Sequence, residues 1–278
     1  MKLKEYINKM GNAYALPDTC VKLQQMLNDD STNIDDIAQL VSYDPIISGL
    51  ILKLANSALY NFPSQIDTVS KAIKVLGSDA VYNLVMACGT SGSLSNISTK
   101  AIDLDLFWQH SINTGLILKK LAHHYDKKQA EFLFLLGLMH NLGELVVANY
   151  TPELAKQCNQ FDKKTQPFQV QQSVLSFSYT NLSAELLRHW NFPEKMIDAL
   201  NNANTPIKAE PELLLYFASR LALTNTYPEL YSVESIIPQA VLKHYGLSEK
   251  DIEELLEIVN LETFSVFSYI NPGASAIY

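Results

Sequence analysis

The sequence predicts an all-helical protein, and three observations support this prediction. Apolar residues recur every three or four positions along most of the 278-residue chain, which is the period of an amphipathic α-helix. Runs of strictly alternating apolar and polar residues, the pattern of a half-buried strand, are absent from the sequence. Hydrophobic residues make up 47% of the chain and charged residues 18%, a balance typical of a compact folded protein.

The first 90 residues contain four predicted helices. Asn33 or Thr32 is the expected N-cap of the first, which ends before Asp44. Pro45 suits the first turn of the second, where its missing N–H costs nothing. Gly77 is a suitable terminator for the third. The predicted spans are residues 34–41, 46–55, 69–76 and 80–87.

A small, polar segment at residues 89–100 is the clearest break in the sequence, so we place a subdomain boundary there. We predict an N-terminal helical part at 1–90, a second helical subdomain at 101–225 and a C-terminal extension at 226–278. Ser248 is the expected N-cap of the last helix, with Asp251 bonding back to it. The predicted helices after the break are 107–125, 130–149, 167–190, 194–202, 210–225, 238–245 and 249–262.

Composition and charge argue against several classes of protein. The formal net charge is −8, whereas nucleic-acid binders need a basic surface to displace phosphate counterions; we therefore expect no nucleic-acid partner. The densest apolar run, residues 132–139, is too short to span a bilayer, so we expect no membrane insertion. No apolar signal segment follows the N-terminus. The three cysteines are widely spaced and predict no disulfide framework. These features together predict a cytoplasmic protein.

Residues 44–77 carry a specific combination of amino acids that closely resembles the N-terminal part of the HDOD family. These are bacterial signalling domains related to the HD phosphohydrolases, and the resemblance implies their HD-like helical bundle. It covers roughly residues 13–225. The residues that carry it are Asp44-Pro45, LKLANSA at 52–58, Tyr60, Ile66, Ser70, Ala72-Ile73 and Leu76-Gly77, with Leu16-Pro17, FWQHS at 107–111, GLMHNLGE at 137–144, Leu186-Leu187, Trp190 and Pro193.

The residue types in this N-terminal motif favour a structural role over ligand binding. Asn56 and Ser57 lie where a helix with a continuous apolar stripe ends. Their side chains are able to bond nearby backbone groups and fix the following turn.

The resemblance also implies a metal site, and it shows which ligands this chain has lost. HD hydrolases hold a divalent metal with two histidines and two aspartates, whose carboxylates balance the charge of the metal and activate water. His110 and His140 match the two histidines. The two aspartate positions hold Asn141 and Ser219, and neutral oxygens are poorer ligands. We therefore expect a vestigial site with no bound cofactor and no catalytic residues, while weak divalent metal binding by the two histidines stays open.

Further substitutions point the same way. Glu144 occupies a position where the family often has a phosphate-attracting lysine. Tyr179 and Ala203-Asn204 occupy positions where auxiliary histidines are common. We expect His110 and His140 to form a partly buried, hydrogen-bonded pair between helices.

The function that follows is a non-catalytic bacterial regulatory protein that acts through an unidentified signalling partner. Two alternatives remain open. One is a divergent metal-dependent phosphohydrolase, favoured by the survival of His110 and His140. The other is a small-ligand sensor, for nucleotides for example, that uses the former active-site pocket.

Overall fold

The structure is a computed structural model that describes residues 2–10, 16–29, 31–56, 62, 65–93, 100–205 and 210–270. Within these residues the chain forms helices and no strand, which confirms the predicted all-helical class. The α-helices are α1 (Leu3–Met10), α2 (Asp18–Leu27), α3 (Ile34–Ser42), α4 (Pro45–Ala55), α5 (Val69–Leu76), α6 (Ser78–Ser93), α7 (Leu104–Tyr125), α8 (Ala130–Met139), α9 (Leu142–Tyr150), α10 (Pro152–Cys158), α11 (Pro167–Leu175), α12 (Tyr179–His189), α13 (Glu194–Asn202), α14 (Glu212–Thr226), α15 (Val233–Ile236), α16 (Gln239–Tyr245) and α17 (Glu249–Ile270).

These helices group into two compact units. The smaller unit comprises Leu16–Ser95 and Leu261–Tyr278, and the larger comprises Met1–Ala15 and Asn96–Asn260. The break near residue 95 falls within the segment that the sequence singles out. The three-part domain division at 1–90, 101–225 and 226–278 remains a prediction.

Helix boundaries in the smaller unit follow the sequence signals. The Asn33 side chain accepts hydrogen bonds from the backbone N–H groups of Asp35 and Asp36, at 2.9 and 3.0 Å, and the Asp36 carboxylate accepts one from the Asn33 N–H. This capping box begins α3. Helix α4 begins at Pro45, and α5 ends before Gly77, whose φ of +87° lies in the region that favours glycine.

Helix α6 is longer than predicted. It continues to Ser93, so the start of the small, polar segment at 89–100 is helical. Within this helix, an added Cβ at Gly89 would lie 2.2 Å from the Sγ of Cys20. Because it has no side chain, Gly89 allows α2 and α6 to approach closely.

The Asn56 side chain closes the loop that follows α4. Its amide N–H groups donate to the carbonyls of Leu52 and Ile66, at 2.8 and 2.7 Å, and its oxygen accepts from the Ile66 N–H at 2.8 Å. These three bonds are the structural role that the sequence predicts for Asn56. The prediction for Ser57 lies outside the described residues.

In the larger unit, α7 packs against α8 and α14. The contact between α7 and α8 is close because two glycines meet: an added Cβ at Gly137 would lie 2.4 Å from the Cα of Gly115. The predicted single helix at 130–149 is instead two helices, α8 and α9, separated at His140-Asn141. An added Cβ at Gly143 would lie 2.2 Å from the Tyr179 carbonyl oxygen, so the start of α9 also depends on a glycine.

Other differences from the predicted pattern are local. The predicted helix at 167–190 is divided by Ser176, which has a left-handed backbone (φ +68°), and by a capping box between Ser178 and Asn181 that begins α12. Ser248 and Asp251 form the predicted cap of α17, with the Ser248 N–H donating to the carboxylate at 2.8 Å. The patterns did not reveal the short helices α1, α2, α10 and α15.

One described stretch, Lys127–Tyr150, is long and apolar enough to cross a membrane by length and composition. Within the structure, 72% of its most apolar window is buried inside the protein. The stretch also contains the break between α8 and α9. Such burial is typical of helices at the centre of a folded core.

Candidate ligand cavity and vestigial metal site

A cavity of about 270 Å³ lies within the larger unit, between α7, the α8–α9 junction, α11, α12 and α14. The five residues that the sequence singles out all line it, although they come from three separate parts of the chain. They are His110, His140, Asn141, Glu144 and Ser219. Tyr179 and Asn204, at the auxiliary positions, line the same cavity.

The hydrogen bonds of the two histidines define their tautomers. Nδ1 of His140 lies 2.6 Å from the Gly137 carbonyl oxygen; since a carbonyl only accepts, Nδ1 carries the proton. Neutral His140 therefore has its lone pair on Nε2, which lies 3.3 Å from Nε2 of His110. His110 donates from that atom, and its Nδ1, which has no hydrogen-bond partner, keeps an unused lone pair. The two imidazoles thus form the predicted hydrogen-bonded pair.

Both imidazoles favour the neutral state. Burial lowers the pKa of His140 to about 4, although its bond to the Gly137 carbonyl acts in the opposite direction. Burial also holds the pKa of His110 well below its ordinary value of 6.5, and the neighbouring His140 lowers it further. Near pH 7 the pair therefore adds no positive charge to the cavity.

Glu144 is the carboxyl group closest in sequence to this pair, and it is engaged elsewhere. It accepts a hydrogen bond from the Asn141 side-chain amide. Burial raises the pKa of Glu144 to about 7, and the bond from Asn141 opposes part of this rise. The carboxyl group is therefore divided between its neutral and charged forms near neutral pH.

Ser219 occupies the second position at which the resemblance implies an aspartate. Its hydroxyl donates to the Tyr216 carbonyl, one turn earlier in α14, at 3.3 Å. A serine bonded to its own helix in this way supplies only a neutral oxygen to the cavity. Tyr179, in place of an auxiliary histidine, is 2% exposed, and burial raises the pKa of its hydroxyl.

The HD-like fold implies a divalent metal, and the residues present do not fit one. Among the described residues, no group of three or more His, Cys, Asp and Glu side chains is placed to hold an ion. The spacing of the two histidines is itself suitable, since two nitrogens about 2.1 Å from one tetrahedral ion lie roughly 3.4 Å apart. The site lacks anionic oxygen ligands, because Asn141 and Ser219 supply neither a negative charge nor a base for a metal-bound water.

Arg220 is a charged residue of this cavity that sequence reasoning missed. It follows Ser219 on α14, a helix whose side chains are nearly all buried, and it is 3% exposed. The available signal was an arginine in the middle of an apolar helix, since arginine is almost never fully buried unless paired.

Comparisons with solved structures place this chain among HD-like helical proteins. A protein of Shewanella amazonensis SB2B named "Putative phosphohydrolase" matches with a TM-score of 0.73 and 22% identity, over 98% of each chain. A protein of Marinobacter aquaeolei VT8 named "Putative signal transduction protein" matches with a TM-score of 0.71 and 22% identity, over 92% of this chain and 59% of that one. At these identities the likeness shows the fold.

Sequence comparisons give the family. An uncharacterized protein of Treponema pallidum (strain Nichols) is 26% identical over 242 residues, which are 84% of this chain and 46% of that protein. The present chain thus spans about half the length of that relative. A sequence model of the HDOD domain matches residues 13–206, well over half of the chain, and this protein therefore belongs to the HDOD family.

Proposed function

We propose that this chain is a cytoplasmic bacterial regulatory protein that does not hydrolyse phosphate esters and acts by binding a partner protein. The observation that supports the non-catalytic role most directly is the set of donors around the histidine pair. The imidazoles of His110 and His140 bond to each other, and the Asn141 amide bonds to Glu144. A hydrolytic site would need carboxylates at the positions of Asn141 and Ser219 to hold and activate a cation.

Membership of the HDOD family and the likeness to a protein named for signal transduction support the regulatory part of the proposal. The net charge of −8 favours a protein partner over a nucleic acid. A chain without its own catalytic output passes on a signal only through another molecule, which is why a partner protein is proposed.

Metal analysis combined with an assay tests the non-catalytic role. The purified protein, incubated with Mn²⁺, Fe²⁺, Ni²⁺ or Zn²⁺ and then desalted, should retain less than one ion per chain and show no turnover of nucleotides or phosphodiesters. The matched gain-of-ligand variant carries Asn141→Asp and Ser219→Asp together, and it should retain more metal than the wild type. Stoichiometric metal in the wild type, with turnover abolished by His140→Ala, would overturn the proposal.

Cross-linking and co-purification from the native cell test the partner. We expect the same protein to be recovered in independent preparations and to be absent when an unrelated protein of similar negative charge is the bait. Recovery of no reproducible partner would contradict this half of the proposal while leaving the metal result unaffected.

A divergent phosphohydrolase is the second candidate. The separation of 3.3 Å between the two Nε2 atoms favours it, because this spacing suits a shared ion. The metal analysis above separates the two candidates.

A further inference from the structure

The chain contains two arginines, and their surroundings differ sharply. Arg188 lies on the surface, where its guanidinium forms ion pairs with Glu185 and Glu194. Arg220 is 3% exposed and lines the cavity. Among the described residues, no carboxylate lies within ion-pair distance, 4.0 Å, of its guanidinium. It is therefore a buried cation whose counter-charge is not supplied by the described part of the chain.

The protein holds the Arg220 guanidinium in one position without neutralising it. Nη1 donates to the carbonyls of Tyr216 and Ala203, at 3.1 and 3.4 Å. The planar group lies 3.7 Å from the centre of the Tyr216 ring and 4.8 Å from that of the Phe168 ring, a stacking arrangement that arginine favours. Its Nε has no hydrogen-bond partner. A fixed guanidinium with unused donors is suited to bidentate binding of an oxyanion.

Arg220 remains charged despite its burial. Burial lowers its pKa to about 10, and the Tyr216 side chain acts in the opposite direction, so the group is protonated at pH 7. A desolvated charge without a partner destabilises the folded protein. Two carboxyl groups line the cavity, and both bond elsewhere. Glu144 accepts from the Asn141 amide, and Asp103 accepts from the first backbone N–H groups of α7. An anion from outside would relieve this cost.

The rest of the cavity is suited to the uncharged part of a small organic molecule. Aromatic rings and side-chain amides line it, and the unused lone pair on Nδ1 of His110 needs a donor. Its volume of about 270 Å³ lies just under the range of roughly 300–1,000 Å³ that is typical of ligand pockets. The lining residues of these two kinds include Phe107, Phe161, Phe168, Asn159, Gln171 and Asn204.

We propose that this cavity binds a small organic oxyanion, either a phosphate monoester or a carboxylate. Its anionic group would lie on Arg220 and its apolar part against the aromatic rings. The inference rests on the proposed regulatory function, because a molecule that is bound and not hydrolysed serves as the signal. Phosphate and carboxylate share the chemistry that Arg220 recognises, and the choice between them is left to experiment.

Calorimetric titration of the full chain with matched pairs of compounds tests the proposal. Each pair differs in its anionic group: phenyl phosphate with phenol, adenosine 5′-monophosphate with adenosine, and benzoate with benzamide. We expect at least one anion to bind with a Kd tenfold or more below that of its neutral counterpart. The phosphate and carboxylate arms identify the source of the oxyanion. Equal binding within every pair, or no binding of any anion at millimolar concentration, would overturn the proposal without any variant being needed.

Two variants assign the binding to Arg220. Arg220→Gln should weaken binding of the anion at least tenfold, whereas the surface control Arg188→Gln should leave it unchanged. Unchanged binding in Arg220→Gln would also overturn the proposal. The ligand-free protein adds a second readout: Arg220→Met should melt at the same temperature as the wild type or higher, because it removes an uncompensated charge. If Arg220 had only a structural role, Arg220→Met would melt at a lower temperature than the wild type, and the two members of each ligand pair would bind equally.

The outcome for the ligand is separable from that for the proposed function. Phenol released from phenyl phosphate during the titration would refute the non-catalytic role while the binding site stands. Absence of anion binding together with a reproducible protein partner would refute the binding site while the regulatory role stands.

Discussion

The Asn56 side chain with its three hydrogen bonds, which we call the loop clamp, contrasts with the cavity at Arg220. Both centre on a polar side chain, but they differ in how completely the protein uses that side chain. The Asn56 amide donates two hydrogen bonds and accepts one, all with backbone groups on the two sides of one loop. In the cavity, Nε of Arg220 and Nδ1 of His110 have no partner. A polar group whose bonds are all internal stabilises the fold, whereas unused bonding capacity beside a cavity points to a molecule from outside.

The largest effect is expected where the cavity depends on close helix packing. Gly137→Val should destabilise the protein by about 3 kcal/mol or more, because the new side chain would overlap the backbone of α7 near Gly115. Thermal and urea unfolding measure the change. Gly49→Ala is the control, since an added Cβ there meets nothing within 4 Å and should cost nothing. Tolerance of valine at Gly137 would show that the cavity is not fixed by this contact.

The next effect concerns the histidine pair in acid. The pKa of His140 is lowered to about 4 in the folded protein, so the unfolded chain binds the proton first as pH falls below 6.5. The resulting stabilisation is present above pH 6.5 and is lost between pH 6.5 and 4, by up to roughly 3 kcal/mol. His140→Asn keeps a donor for the Gly137 carbonyl and should show a shallower loss over this window. The exposed control His189→Asn should follow the wild-type curve; if His140→Asn does too, the pair is not neutral.

At the clamp, we expect Asn56→Ala to cost about 1–2 kcal/mol, because it leaves the backbone N–H and carbonyl of Ile66 without these partners. Asn28→Ala is the matched control: its amide makes a single exposed bond, to the Gln24 carbonyl, and its loss should change the free energy of unfolding by less than about 0.5 kcal/mol. Equal effects of the two substitutions would remove the distinction between clamp and ordinary surface asparagine.

The smallest effect is expected at Glu144. Its pKa is raised to about 7 in the folded state, so the stabilisation linked to its protonated form is complete below about pH 4.5 and is lost as pH rises through 7. The full rise corresponds to roughly 3 kcal/mol, but Glu144 is only partly buried and lines the cavity, where water reduces the cost of its charge. Glu144→Gln should therefore be more stable than the wild type at pH 8, by about 1 kcal/mol, and show no such gain at pH 5. Glu153→Gln, at an exposed side chain, is the control and should not be stabilised at pH 8. If Glu144→Gln is not stabilised there either, the Glu144 carboxyl lies in water.

The helices and the residue types at the implied metal-ligand positions were open to sequence reasoning, because both can be read from short segments of the chain. Asn33, Pro45 and Gly77 act on backbone groups within a few residues of themselves, so their types and positions predict where α3, α4 and α5 begin or end. The resemblance to the HDOD family assigned His140 and Asn141 to the implied metal site, and both residues line the cavity. It failed to reveal that they interrupt a helix, because the apolar pattern continues on both sides of the break.

Arg220 was missed for a related reason. A sequence shows that an arginine lies in an apolar helix, but whether its guanidinium meets an acid depends on residues far away in the chain. Phe168 and Ala203, which contact it, are separated from it by 52 and 17 positions.

The sequence alone determined that this protein is helical, that it belongs with the HDOD domains, and that Asn141 and Ser219 occupy the positions at which the resemblance implies aspartates. These conclusions follow from residue types at particular positions, which short-range forces and chemical identity are enough to interpret. Only the tertiary structure decided which nitrogen of each imidazole carries the proton, that Glu144 is bonded to Asn141, and that Arg220 lacks a counter-charge among the described residues. Those properties arise where distant segments meet, because hydrogen bonds and ion pairs depend on separations of a few ångströms that no spacing along the chain specifies.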